Sequence, residues 1–296
     1  MSHKNKKSIH MEMNEVLQEK LHKGVGTSKH ARKIAGDTAT DVIFSFNTYK
    51  AYKKHCAYFI SWVRAKYKCK TLAQARKYAD EWLQTRIDSN LSAYTIQLER
   101  SALCKLYGDS AADYIKTPPR LRKNIVRSRR QAVRDAHFSE ANHADFVEFC
   151  RSTGLRRAEL RALTGDKLVK DDDGRWCILV NKMSKGGRPR KAPIVGNVGK
   201  IVGMMQAAGT GKVFEKIPNG ADIHGYRAEY ATTVYLMYAR PLKTLSKEEI
   251  YYCRTDRIGV HFDRRAMGYT SAALGHSKNR VSVVGEHYIR LPQNNQ

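Results

Sequence analysis

Long hydrophobic runs are missing from this chain of 296 residues. No stretch approaches the roughly 18 consecutive apolar residues that a membrane-spanning helix needs. The basic first residues also lack an apolar core of signal-peptide length. The sequence therefore predicts a soluble, cytoplasmic protein.

Paired cysteines are missing as well. The six cysteines are scattered without a C-x-x-C pair, and a chain of this length can bury its cores without disulfides. We expect buried, reduced thiols and no structural zinc site. The three acidic residues at 171–173 precede Gly174, and this pattern is more typical of a hairpin turn than of metal ligands. The sequence predicts neither a metal nor another cofactor.

Acidic residues are scarce relative to basic ones. The chain has 54 Lys plus Arg against 28 Asp plus Glu, a formal net charge of +26. Self-repulsion of this size favours a polyanionic partner, with nucleic acid as the first candidate. An anionic membrane surface is a distant alternative, because the basic residues follow a helical two-domain pattern rather than one amphipathic helix.

The apolar periodicity predicts an arm and a helical domain in the first half of the chain. Residues 1–38 are polar and basic with weak periodicity, which predicts a loosely ordered basic arm. Residues 39–117 contain three stretches with apolar residues at helical spacing, which predict a helical core DNA-binding domain. Thr71 is the expected cap of the second helix, and Gly108 ends the third. The exposed face of the first helix offers candidate DNA contacts at Lys50, Lys53 and Lys54.

A basic stretch, residues 118–135, separates this domain from the second half. Pro118 and Pro119 break the helical pattern, and basic residues then recur with no acid until Asp135. Such a run is either a solvated linker or a linker that lies along DNA and adds salt-dependent phosphate contacts. The candidate contacts are Arg120, Arg122, Lys123, Arg127, Arg129 and Arg130.

The second half, residues 136–296, predicts a mixed α/β domain that is mostly helical. Ser139 is the expected N-cap of a helix that stops near Gly154. The segments "KLVK", "RWCILV" and "KAPIVG" are short strand candidates, after which the helical pattern returns. The predicted fold class is mainly α, with one small three-stranded antiparallel sheet.

Five short motifs in this half occur in a distinctive order. They are "TGLRRAEL" with Arg156, "SKGGRPRKAPI" with Lys185, "HGYRAEYAT" with His224 and Arg227, "LGHS" with His276, and "HYIR" with Tyr288. Each motif is weak by itself. Their order and context resemble the tyrosine recombinase, or phage integrase, family over roughly residues 136–290. The helical basic domain before them fits that family's core-binding domain more loosely.

The resemblance implies a role for each motif residue. Breaking a phosphodiester without a metal requires fixed positive charge around the transition state, which the guanidinium forks of Arg156 and Arg227 would supply. Tyr288 is the implied nucleophile; a tyrosine hydroxyl, with an unperturbed pKa of about 10, needs a base or a cationic site. The remaining implied roles are a base at His224, a phosphate contact at His276, a general acid at Lys185, support at Glu159 and a DNA contact at Arg188.

Several residues compete for these roles. Arg157 stands beside Arg156, but the family pattern places the catalytic Arg directly after the Gly-Leu pair. A second His-x-x-Arg occurs at His261 and Arg264, without the "AT" that follows Arg227 in "RAEYAT".

The motif spacing also departs from the family pattern. The interval from Arg227 to His276 is longer than usual, the interval from Lys185 to His224 is shorter, and Tyr288 lies three residues farther from His276. The long interval contains an insert with tyrosines of its own, which include Tyr251, Tyr252 and Tyr269. Tyr288 is preferred because it follows the Leu-Gly-His motif.

The leading interpretation is a site-specific DNA recombinase of a prokaryotic mobile element or phage. It would cleave and rejoin recombination sites in double-stranded DNA through a 3′-phosphotyrosine link, as a homotetramer on DNA, with a directionality factor as a possible accessory. Two alternatives stay open. One is a type IB topoisomerase-like enzyme with the same chemistry, and the other is a catalytically silent DNA-binding architectural or regulatory protein.

Overall fold

The computed structural model describes residues 7–37, 39–121, 138–181, 189–254 and 257–291. Its contacts divide the chain into two compact units, Met1–Asn124 and Ile125–Gln296. The division falls inside the basic stretch at 118–135. The candidate DNA contacts Arg122, Lys123, Arg127, Arg129 and Arg130 lie outside the described residues.

The described part of the first unit is helical. Side-chain caps fix three helix starts, because Ser45, Thr71 and Ser92 accept hydrogen bonds from the backbone amides three residues later. Gly108, in the left-handed conformation, ends the last long helix as expected. The helices are α1 (Ile9–Gly24), α2 (Lys29–Ile34), α3 (Phe46–Tyr67), α4 (Leu72–Arg76), α5 (Ala79–Asp88) and α6 (Ala93–Tyr107).

The expectation of a loosely ordered arm over residues 1–38 is wrong for α1. Ile9, Met13, Leu17 and Leu21 lie on one face of this helix and are buried in the core of the first unit. Four apolar residues at a spacing of four form a narrow stripe, and the surrounding Lys, Glu and His residues hide it in a composition count. The basic composition is real, but α1 is part of the folded unit.

The second predicted helix is divided into α4 and α5. The break lies at Lys77 and Tyr78, and the ring of Tyr78 stacks on Tyr67 with 3.7 Å between the ring centroids. Tyr67 is the last residue of α3 and lies outside the predicted second helix, so the periodicity of that helix does not include this contact. The Thr71 cap, by contrast, depends on local residues and is confirmed.

The described part of the second unit packs helices around a small sheet. The sheet has the order β1 (Leu168–Lys170), β2 (Trp176–Val180), β3 (Arg190–Pro193), and both pairings are antiparallel. The helices are α7 (Ala144–Thr153), α8 (Arg157–Arg161), α9 (Val198–Ala208), α10 (Ile223–Tyr238), α11 (Arg264–Ala273) and α12 (Val281–His287). The predicted fold class, mainly helical with a three-stranded antiparallel sheet, is confirmed.

The acidic residues at 171–173 form the predicted turn between β1 and β2. The Asp171 carboxylate accepts hydrogen bonds from the amides of Asp173, at 3.0 Å, and Arg175, at 2.9 Å. Among the described residues, no cluster of three or more His, Cys, Asp or Glu is arranged to hold a metal ion. None of the described helices has the length and apolar character needed to cross a membrane.

The insert between Arg227 and His276 adds a second sheet that the sequence analysis did not predict. Strands β4 (Ile250–Tyr252) and β5 (His261–Asp263) pair antiparallel as a hairpin. The fully buried Asp263 carboxylate binds the Arg240 guanidinium and caps the first turn of α11. The hairpin is therefore fixed to the end of α10 and to the start of α11.

Candidate active site

Two helix ends bring backbone carbonyls to one place in the second unit. The helix α7 ends before Gly154, which takes the left-handed conformation at φ +58°, and α11 ends before Leu274. The last carbonyls of a helix lack intrahelical partners and carry partial negative charge. Here the carbonyls of Gly154, Ala273 and Leu274 accept hydrogen bonds from guanidinium groups. The glycine at 154 is required sterically too, because an added Cβ would overlap the Tyr230 ring.

Arg227 is the most deeply buried cation of the group. It lies on the first half of α10, which Asp222 caps, and 1% of its surface is exposed. Its Nη1 donates to the Gly154 carbonyl and its Nη2 to the Leu274 carbonyl. Burial, followed by the nearby positive charge of Arg156, lowers the pKa of Arg227 to about 10. The side chain is therefore still cationic at neutral pH.

Arg156 reaches the same carbonyl from the start of α8. Its Nη2 lies 3.1 Å from the Leu274 oxygen, and its Nη1 lies 2.8 Å from Oε1 of Glu159. The backbone amide of Arg156 also donates to Oε2 of Glu159 at 2.8 Å. The two arginines that the sequence paired are thus placed on one backbone oxygen.

Glu159 binds a third guanidinium, that of Arg190, which the sequence analysis did not assign. Arg190 opens β3 and donates Nη1 and Nη2 to the two carboxylate oxygens of Glu159, at 3.0 and 2.8 Å. Its Nε donates to the Ala273 carbonyl at 3.0 Å. Burial alone would raise the pKa of Glu159, but the hydrogen bonds and charges of Arg190 and Arg156 lower it to about 2. Glu159 is therefore ionised at neutral pH.

Tyr288 lies beside this cluster. Its ring centroid is 5.5 Å from Cζ of Arg227, so the guanidinium lies against the aromatic ring. It is 7% exposed, at the C-terminal end of α12, and its amide donates to the Val284 carbonyl at 2.9 Å. Arg257 from the insert donates to the carbonyl of Gly285 in the same helix.

His276 completes the group. Its ring centroid is 6.1 Å from that of Tyr288, and its amide donates to the Ser271 carbonyl at 2.8 Å. Burial, and then the positive charges of Arg227 and Arg156, lower the pKa of His276 to about 4, so the imidazole is neutral at pH 7.

Two buried nitrogens of this group, Nε2 of His276 and Nε of Arg227, have no hydrogen-bond partner among the described residues. Buried polar atoms are nearly always hydrogen-bonded. Nitrogens left over beside a cationic cluster suit the oxygens of an anionic group.

The two remaining predicted catalytic residues are His224 and Lys185. His224 is exposed on the first turn of α10, three residues before Arg227. Lys185, like Arg188, lies outside the described residues, in the connection between β2 and β3. The structure therefore brings together Arg156, Arg227, His276 and Tyr288, and the placement of Lys185 stays a prediction.

The competing residues have other contacts. Arg157 donates to the backbone carbonyls of Pro218, Asn219 and Ala221, so it fixes a loop. His261 packs on Tyr252 with 4.7 Å between ring centroids, and Arg264 donates to the Ile250 carbonyl at 3.4 Å. The second His-x-x-Arg therefore spans β5 of the hairpin and the first residue of α11.

The other tyrosines of the insert region also differ from Tyr288 in their surroundings. Tyr252 and Tyr269 are 47% and 43% exposed, and Tyr269 stacks on Tyr238. Tyr251 packs against the second hydrophobic core of the unit. Tyr288, in contrast, contacts the arginine cluster.

The described DNA-contact candidates are exposed on the first unit. Lys50, Lys53 and Lys54 lie on the outer face of α3. Lys50 is 4.8 Å from the centroid of the exposed Phe46 ring, and Arg120 is 5.3 Å from that of Tyr94. Cations next to exposed aromatic rings are suited to nucleic acid, although a solvated surface has the same appearance.

Comparisons with known proteins gave matches in structure alone. No protein-family model matches the chain, and no curated protein matches its sequence. The chain is similar to the Tn1549 transposon integrase in complex with transposon right end DNA, at 13% identity and a TM-score of 0.46, covering 98% of this chain and 97% of that one.

Two further similar structures are recombinases. The XerH site-specific recombinase bound to palindromic difH substrate is 14% identical, with a TM-score of 0.49 and 97% and 92% of the two chains covered. The XerA recombinase is 16% identical, with a TM-score of 0.29 and 85% and 90% covered. Likenesses at these TM-scores assign no function, which has to be inferred from the side chains of the site.

Proposed function

We propose that this chain is a site-specific DNA recombinase of the tyrosine type, which cleaves and rejoins DNA through a 3′-phosphotyrosine intermediate. The observation that carries this proposal is the convergence of Arg156 and Arg227 on the Leu274 carbonyl, beside the hydroxyl-bearing ring of Tyr288. Two guanidinium forks next to a tyrosine are the groups that metal-free phosphodiester cleavage needs.

The charge balance of the site favours a phosphate ligand. Among the described residues of this cluster, the guanidiniums of Arg156 and Arg190 bind one carboxylate, that of Glu159, and the guanidinium of Arg227 binds backbone carbonyls. The helix carbonyls offset part of the excess positive charge, and a phosphodiester would offset more of it. Nε2 of the neutral His276 is suited to donate a hydrogen bond to a phosphate oxygen.

The proposed reaction has two matched steps. The oxygen of Tyr288 attacks the scissile phosphorus, the bond to the 5′ oxygen breaks, and the DNA strand is left attached through its 3′ phosphate. The tyrosine proton passes to a base, for which His224 is our candidate, and Lys185 supplies a proton to the departing 5′ oxygen. Attack by a 5′-hydroxyl of a partner strand reverses these steps and regenerates Tyr288, so no ATP is consumed.

We further propose that the chain acts as a homotetramer on two recombination sites. Complete recombination of two duplexes cuts four strands and so needs four nucleophiles, and one subunit contributes a single Tyr288. An accessory directionality factor and an origin in a prokaryotic mobile element or phage belong to the same proposal. The basic residues of both units would supply the phosphate contacts that hold the complex on DNA.

The test is covalent capture of DNA by Tyr288. The wild-type chain, Tyr288→Phe and the matched control Tyr269→Phe are incubated with randomised duplexes that carry nicks at staggered positions, in EDTA and without ATP. A short fragment released by cleavage diffuses away, so that the covalent complex accumulates. We expect an SDS-resistant adduct with the wild type and Tyr269→Phe, enrichment of one duplex sequence in it, and no adduct with Tyr288→Phe.

Other outcomes identify the alternatives. An adduct with Tyr288→Phe would mean that another tyrosine attacks. DNA binding without an adduct in any variant would favour an architectural protein. Adducts without sequence enrichment, together with relaxation of supercoiled plasmid, would favour a type IB topoisomerase-like enzyme.

A further inference from the structure

Arg190 is a buried cation with no assigned role. Its side chain is 6% exposed, and its Nε, Nη1 and Nη2 all donate to site residues, Ala273 and Glu159. Burying a guanidinium is costly unless its partners are well placed, and a bidentate carboxylate contact is the strongest of the usual arrangements. A residue held in this way has a fixed position.

The contact with Arg190 limits the hydrogen bonds that the Glu159 carboxylate accepts from the Arg156 side chain. Both carboxylate oxygens are engaged by Arg190, so the side chain of Arg156 donates a single hydrogen bond to this carboxylate, from Nη1 to Oε1. A guanidinium has five N–H donors, and the described partners of Arg156, Glu159 and the Leu274 carbonyl, use two of them. Donors therefore remain for a phosphate.

Loss of Arg190 would free this carboxylate. Glu159 could then turn both oxygens to Arg156 and form the bidentate pair that such groups prefer. That pair would occupy another donor of Arg156 and tilt its fork away from the Leu274 carbonyl. The separation of Arg156 from Arg227, which that carbonyl sets, would be lost.

Arg190 also lies at the base of the connection that contains Lys185. It pairs with Val180 in the register of β2 and β3, and residues 181–189 form the connection between them. Through its contact with Ala273, Arg190 links this base to the C-terminal end of α11. The Arg190 side chain thus links the strand after Lys185 to the helix before His276 and to the carboxylate that orients Arg156.

We propose that Arg190 is a positioning residue of strand cleavage, which holds Glu159 so that Arg156 presents its free donors to the scissile phosphate. This inference rests on the proposed recombinase function. Arg190 acts through Glu159 and the α11 end, and it makes no contact with DNA. Its loss therefore slows cleavage more than it weakens DNA binding.

The experiment compares Arg190→Met, Arg190→Lys and the control Lys191→Met on the duplex enriched by the wild type. Lys191 is the next residue of β3 and is exposed, so the control removes a positive charge outside the cluster. DNA affinity and the single-turnover rate of adduct formation are measured separately. We expect Arg190→Met to cleave on the order of 100-fold more slowly with nearly unchanged affinity, because a misplaced catalytic group costs about this much.

Two further readouts separate positioning from a general loss of structure. Arg190→Lys keeps the charge but loses the fork, so it should recover part of the rate. In Arg190→Met, Glu159 keeps Arg156 as its charged neighbour but loses Arg190, so its pKa rises. The cleavage rate of Arg190→Met should then fall at acidic pH, whereas that of the wild type should not. In the double variant Arg190→Met/Glu159→Gln, this fall of the rate at acidic pH should be absent.

The outcomes are decisive for both proposals. Unchanged cleavage rates in Arg190→Met and Arg190→Lys would overturn the role of Arg190 and leave the recombinase function intact. Equal losses of DNA affinity and cleavage would also overturn it, because they indicate a structural role. If Arg190→Met fails to fold, Arg190→Lys decides by the same criteria. Absence of any adduct with the wild type overturns the recombinase function and this inference with it.

Discussion

Replacing Gly275 with Ala should damage the site through Arg190. Gly275 lies in the Leu-Gly-His motif with φ +74°, a conformation that L side chains rarely adopt. An added Cβ would lie 2.9 Å from both Cδ and Nη1 of Arg190. The Arg190 side chain cannot move aside cheaply, because Glu159 and the Ala273 carbonyl hold its end.

The size of the effect can be separated into two parts with a control. Gly174 has φ +76°, and nothing lies within 4 Å of an added Cβ there. Both substitutions meet the cost of a left-handed alanine, roughly 1–2 kcal/mol. Gly275→Ala should cost about 1–3 kcal/mol more, the usual penalty for disturbing a buried hydrogen-bonded charge.

The assay is amide hydrogen exchange in α10 of the full chain, which reports the free energy of opening of the second unit. The cleavage rate is measured in parallel, and Gly275→Ala should slow cleavage whereas Gly174→Ala should not. Opening free energies that agree within about 0.5 kcal/mol for the two variants, with equal cleavage rates, would refute the close packing of Gly275 on Arg190.

Two more predictions concern the other side of the site. The pKa of His276 is lowered to about 4 in the folded chain, so the unfolded chain binds more protons between pH 6.5 and 4, and stability should fall as the pH is lowered through this window. After a discount for partial exposure the loss is on the order of 1–2 kcal/mol, and denaturation of His276→Gln should lack it. Arg257→Met removes the donor to the Gly285 carbonyl near Tyr288, and adduct formation should slow about 10-fold at unchanged DNA affinity. The exposed Arg254→Met is the control, and equal rates for both would show that the hairpin does not position α12.

Local features of the fold could be predicted from the sequence, and long-range features could not. The Thr71 cap, the left-handed Gly108 and Gly154, and the Asp171 turn depend on neighbouring residues and were predicted correctly. The docking of α1 depends on partners in other helices, the break at Tyr78 coincides with a contact to α3, and each strand of the β4–β5 hairpin is only three residues long. A local pattern records none of these partners.

The residues of the candidate site also divide into those that the sequence identifies and one that it does not. Arg156, Arg227, His276 and Tyr288 stand in short motifs, and the structure places them together. Arg190 stands among other basic residues in "GGRPRK", where it has the appearance of a surface charge. Its burial follows from β-strand pairing and from Glu159, which lies 31 residues earlier. Buried and exposed residues alternate in "RKAPI", and this alternation indicates a strand with Arg190 on its buried face. The alternation does not identify Glu159 as the partner of Arg190.

The carbonyls that hold the three arginines belong to the backbone at the ends of α7 and α11. A main-chain oxygen does not titrate, and a side-chain substitution at Gly154, Ala273 or Leu274 does not remove it. The spacing of the cationic forks is therefore set by where two helices stop. Point substitutions that leave those ends in place would preserve the spacing. An insertion or deletion in the last turn of either helix would instead shift its terminal carbonyls by one residue's rise, about 1.5 Å along the axis, and rotate them by roughly 100°. Changes in helix length should be tolerated far less here than changes in residue type.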